Sequence, residues 1–105
     1  MSEFCLVYVT AQTLEEAQAI GRAVVEKRLA ACANILPGMK SIYLWKGELH
    51  EDDEVVLICK TTASRVDELT AAIVSLHSYE CPCVAVMPIA PGNAAYFEWL
   101  AEAVA

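Results

Sequence analysis

The chain has 105 residues, of which 57% are apolar, and a formal net charge of −7. That length suits a single domain over residues 1–105 with one core, and the charge argues against nucleic acid and anionic membranes, which need Lys/Arg patches. No run approaches the roughly 18 apolar residues of a membrane helix, so an apolar share above the usual ~45–50% is expected at subunit interfaces.

Met1-Ser2-Glu3-Phe4-Cys5 carries no basic segment and its apolar run is short, so no secretory signal is expected. The five cysteines are an odd number spread through apolar segments, which predicts reduced thiols and a cytoplasmic protein.

Phe4–Thr10 is an uninterrupted β-prone run and reads as a central strand. Thr13-Leu14-Glu15-Glu16 is a capping box, followed by a helical stripe of Leu14, Ala17, Gly21, Val24 and Arg28 widened by Ile20, Val25 and Leu29. Pro37-Gly38 splits or bends the next strand, Lys46-Gly47-Glu48 makes a hairpin turn, and Glu51-Asp52-Asp53-Glu54 reads as an acidic, unburied turn. Val55–Cys59 is a dense strand. Ser64, with Asp67 three residues on, reads as the cap of a second helix buried through Val66, Leu69, Ile73 and Leu76. Val84–Met87 is a fourth strand closed by Pro88, and Asn93 caps a short final helix carrying Phe97, Trp99 and Leu100.

The order β-α-β-β-α-β plus a terminal helix predicts an α+β, ferredoxin-like fold with a long hairpin. Ile42-Tyr43-Leu44-Trp45 is apolar at four successive positions. Because strand side chains alternate between faces, both faces of this ribbon carry large apolar groups. A subunit of the same protein is the simplest cover for the second face, which makes Ile42, Tyr43, Leu44 and Trp45 the expected oligomer interface.

Several segments resemble the CutA family of divalent-cation tolerance proteins. Val25–Asn34 (VEKRLAACAN) looks like that family's helix-to-strand passage, Ser41–Gly47 (SIYLWKG) its hairpin, and Glu54 through Lys60-Thr61 its long third strand. His77-Ser78-Tyr79-Glu80 stands where the family carries His-Pro-Tyr-Glu, and Gly92-Asn93 with Tyr96 and Trp99 is similar to its C-terminal signature. The resemblance implies a trimer akin to PII signalling proteins and a role in tolerance of copper and other divalent metals. It also departs from the pattern twice. Ser78 replaces the proline, and Val9 stands where some members carry a cysteine proposed as a copper ligand; Cys5 lies on the same face but about 13 Å away.

His77, Glu80, Cys81 and Cys83 form the one cluster of soft and borderline donors, a set suited to copper or zinc. The competing reading makes Cys81 and Cys83 small hydrophobes starting a core strand and His77 a partner of the preceding helix's last carbonyls. Cys32 and Cys59 read as core, and His50 as part of a solvated turn. Lys60, Tyr79 and Trp45 are expected near an intersubunit cleft that could hold a small anion; the lysines, Lys46 included, could equally pair with a carboxylate such as Glu80. No Gly-rich phosphate loop or His-Glu-x-x-His motif occurs, so no enzyme and no obligatory cofactor are predicted. The expected function is metal tolerance through metal binding by a homotrimer, copper being the favoured ion. The alternative is a PII-like module that binds a small anion and an unidentified protein partner.

Overall fold

The strand β1 (Phe4–Ala11) sits at the centre of the molecule in the computed structural model, which describes residues 3–105. Its alternate residues Cys5, Val7, Val9 and Ala11 are buried on one face, as the period of two requires. Helix α1 (Leu14–Glu26) and helix α2 (Val66–Leu76) cover that face: Ile20 and Val24 from the first, and Leu69 and Ile73 from the second, join Val7, Val9, Leu57 and Cys59 in one core. Gly21 lets α1 approach closely, since a Cβ there would stand 3.1 Å from that of Ala33.

Strands β2 (Cys32–Trp45), β3 (Glu48–Thr62) and β4 (Val84–Ile89) complete an antiparallel sheet in the order β2-β3-β1-β4. With α1 and α2 on one face, this is the expected ferredoxin-like arrangement. Helix α3 (Ala94–Ala103) packs Leu100, with Val104 just beyond it, against Phe4, at the end of the sheet away from the hairpin. Among the described residues no helix is long and apolar enough to cross a membrane.

Local signals explain most boundaries. The Thr13 hydroxyl accepts from the Glu16 N–H at 3.1 Å, and Asn93 caps α3 through the Ala95 N–H at 3.2 Å. Helix α1 stops in a Schellman turn, in which the N–H of Leu29 reaches the Val24 carbonyl at 2.9 Å and that of Arg28 reaches Val25. Arg28 takes the left-handed conformation there, with φ +58°. The hairpin turn is the two residues Lys46 and Gly47, both with positive φ, the signature of a type I′ turn.

Several expectations need correction. Glu51-Asp52-Asp53-Glu54 is strand rather than turn, because β3 runs from Glu48, and Glu54 is only 7% exposed. Pro37-Gly38 does not split β2 but forms a bulge between Leu36 and Met39. Ser64 lies in a 3-10 turn over Ala63–Arg65, so α2 starts at Val66 with no side-chain cap. Pro88 does not close β4, which continues to Ile89: the strand is at the sheet edge, where a missing N–H costs no ladder bond. Leu76 ends its helix largely exposed, and Cys81 and Cys83 precede β4 rather than beginning it.

Candidate functional site

The sheet face opposite the two helices carries a cleft of about 590 Å³ at the foot of the hairpin. Pairing fixes who meets there. Met39 opposes Glu54, Ser41 opposes Asp52 and Tyr43 opposes His50, so Met39, Ser41, Tyr43 and Trp45 stand on the Glu54 side of the ribbon. Tyr8 and Thr10 of β1 supply the floor, and the segment from Tyr79 to Cys83 forms the opposite wall.

Glu54 is the buried acid of this cleft. Its Oε2 accepts a 2.6 Å hydrogen bond from the Tyr79 hydroxyl. Burial, then that bond and the carboxylate charge, raise the Tyr79 hydroxyl well above the usual phenol range. Burial and the same charge also push up the Cys83 thiol. Tyr43 gives its hydroxyl to Asp52 at 2.6 Å and stacks on the His50 ring, and the Tyr8 hydroxyl meets the Met39 sulfur at 3.5 Å.

His77 anchors the wall from behind. Its Nε2 lies 2.7 Å from the Thr10 carbonyl, which can only accept, so Nε2 carries the proton. Its Nδ1 then accepts from the Tyr79 N–H at 3.1 Å. Glu16 holds the same turn: its two carboxylate oxygens accept from the N–H groups of Ser78 (2.8 Å) and Gln12 (3.1 Å). Burial opposes ionisation of Glu16, but the bonds from Ser78 and Gln12 outweigh it and hold the carboxyl below its ordinary range.

The four donors proposed from sequence are thus near in the chain but separately engaged. Both ring nitrogens of His77 are committed, leaving no lone pair for a metal in this arrangement. Glu80 pairs with Lys46 at 3.2 Å, the carboxylate partner foreseen for such a lysine. Cys81 and Cys83 are exposed thiols on the cleft wall. Among the described residues no three His, Cys, Asp or Glu side chains stand ready as a metal cage.

The proposed ligand cleft divides likewise. Trp45 and Tyr79 line it, whereas Lys60 lies beside α3, 3.3 Å from the Tyr96 hydroxyl and over its ring. Cys32 is near the same hydroxyl, and Cys59 is buried with its thiol pushed up to about 12 by desolvation, then by Cys32. Ile42, Leu44 and Trp45 are exposed along the hairpin with Tyr43.

Glu54 was missed as a site residue because its three acidic neighbours suggested water. A signal existed: at a period of two, Glu54 is in phase with Val56 and Ile58.

Residues 5–103 match the sequence profile of the family described as CutA1 divalent ion tolerance protein. The chain belongs to the CutA1 family. It is 45% identical over 97 residues to the divalent-cation tolerance protein CutA of Thermus thermophilus, covering 92% of this chain and 94% of that protein. Human protein CutA is 45% identical over 95 residues; there the match covers 90% of this chain and 53% of the relative. Among solved structures, the divalent cation tolerance protein from Thermus thermophilus superposes with a TM-score of 0.93 at 43% identity, over 97% of this chain and 99% of that one. A structure of the periplasmic divalent cation tolerance protein CutA from Archaeoglobus fulgidus gives 0.93 at 36%, over 97% and 99%. Membership in the CutA1 family ties this chain to divalent-cation tolerance.

Proposed function

We propose that this protein acts in divalent-cation tolerance as a non-catalytic homotrimer that takes up a soft metal ion, copper foremost, at the cleft wall. The observation that carries the reading is the chemistry of the cleft. Its donors are the thiols of Cys81 and Cys83, the thioether of Met39 and the carboxylates of Glu54 and Glu80. Lys40, which lines the cleft, pairs with Asp53, and Lys46 of the hairpin turn pairs with Glu80. Such a surface suits a cation better than the small anion of the alternative reading, the more so because Lys60 lies outside it.

Cys81 and Cys83 would hold the ion, with Glu80 joining if it leaves Lys46, and soft sulfur donors favour copper over magnesium or calcium. His77 joins only if Tyr79 gives up its N–H bond. Five free thiols support a reducing, cytoplasmic setting. The trimer reading rests on the hairpin, whose Ile42, Leu44 and Leu49 form a cross-strand apolar patch, Leu44 and Leu49 each 72% exposed.

Calorimetry with copper, zinc, magnesium and calcium on the reduced protein tests the site. Copper uptake is expected with proton release, and weaker as pH falls, because the raised Cys83 thiol must deprotonate. His77→Ala should retain uptake, and the double variant Cys81→Ser/Cys83→Ser should lose it. Equal uptake by the double variant and the wild type would remove the thiols from the site.

A further inference from the structure

We propose that the floor of the cleft is a binding site for a small organic ammonium ion, with Glu54 as its counter-ion and the surrounding aromatic rings as its walls. The inference does not rest on metal uptake, which uses the thiols at the rim.

Three observations lead there. First, a carboxylate removed from water ordinarily has a cationic partner. Glu54 is buried, and the hydrogen bond it accepts comes from the neutral Tyr79 hydroxyl. Among the described residues no Lys, Arg or His forms an ion pair with it; the two lysines of the hairpin pair with Asp53 and Glu80 instead. Second, the cleft is far larger than a bare metal ion requires, at about 590 Å³, and it opens directly onto Glu54. Third, the cleft onto which that carboxylate opens is lined by Tyr8, Tyr43, Trp45 and Tyr79. Aromatic faces attract cations through their quadrupole and are the usual walls of ammonium-binding pockets.

The same groups select against other ligands. An anion would meet Glu54 with no free cation to offset it. A neutral apolar molecule would fill the space and leave the buried charge unanswered. A hard divalent ion would seek several oxygen donors, where the cleft floor offers one carboxylate and hydroxyls already used as donors. An ammonium group satisfies the carboxylate and tolerates the rings.

Choline chloride is the probe, and 3,3-dimethylbutan-1-ol, which has the same shape without the charge, is its control. Calorimetry on the intact wild-type assembly should show choline binding, with the neutral alcohol weaker by about tenfold or more. Glu54→Gln should lose choline by a similar factor and leave the alcohol unchanged, with light scattering reporting the same oligomer. Tyr79→Ala, which removes one ring of the wall, should weaken choline. Cys81→Ser/Cys83→Ser should retain choline, so that failure of the metal site and failure of this one are read separately. Equal affinity for choline and its neutral isostere overturns the proposal without any variant. So does an absence of choline binding to the wild type, which would mean that another part of the assembly fills the cleft.

Discussion

The two faces of the sheet use the same strand chemistry to different ends. Toward α1 and α2, Val7, Val9, Leu57 and Cys59 are sealed from water. On the opposite face Leu6, Tyr8 and Ile58 are only partly covered, and Leu36 and Met87 are largely exposed. The covered face makes the chain fold; the open face, continued along the hairpin, leaves apolar surface that a single copy cannot bury. A strand apolar at every position therefore reports two partners, one inside the chain and one outside it.

The largest expected effect tests the covered face. Leu57→Ala, in a fully buried position, should cost about 2–5 kcal/mol in chemical denaturation. Leu36→Ala, across the sheet, should cost far less when the protein is dilute enough to dissociate. Equal losses would erase the contrast.

Charge placed on the exposed hairpin, on the ribbon face away from Glu54, gives the next largest effect. Leu44→Asp/Leu49→Asp should disperse the assembly in light scattering while the far-ultraviolet circular dichroism of the separated chain persists. In the wild type the melting midpoint should rise with protein concentration. A midpoint that stays fixed on dilution would show that the exposed hairpin contributes nothing to stability.

A smaller effect concerns the turn that joins the faces. Glu16 has its carboxyl held below the ordinary range in the folded protein. Its contribution is therefore present above the unfolded-state pKa of about 4.3 and is lost as pH falls through the lower, folded value. Glu16→Gln should destabilise the protein at neutral pH and cease to matter in strong acid. A stability gap that stays constant over that range would remove ionisation from the explanation. The smallest effect lies at the end of α1: Arg28→Gly, relieving a left-handed arginine, should add about 1 kcal/mol to stability in thermal melts.

The fold was legible because its signals are local and repeated. The continuous run of β1, the Thr13 and Asn93 caps and the Lys46-Gly47 turn each state their conformation within a few residues. The acidic stretch misled because composition was set against periodicity: charge said turn, while the alternation into Val56 and Ile58 said strand, and the cross-strand partners Met39 to Ile42 decided it. The candidate site was legible only as a neighbourhood. Tyr79, Cys81, Cys83 and Trp45 do line one cleft. That His77 would spend both nitrogens on Thr10 and Tyr79, and that Lys60 would turn to Tyr96, depends on contacts between residues far apart in sequence.

The bulge at Pro37-Gly38 has a consequence for the cleft some distance away. The two ends of the β2–β3 ribbon are out of step by one residue. With one phase throughout, the ribbon would end in a loop of odd length, and alternation would bring Ile42 and Leu44 to the side of Glu54. The extra residue, eased by the positive φ of Gly38, shifts the phase once. The tip then closes on two residues, and Tyr43 and Trp45 stand on the Glu54 side of the ribbon, where they line the cleft. A single bulged residue in mid-strand thus brings aromatic rings to the cleft.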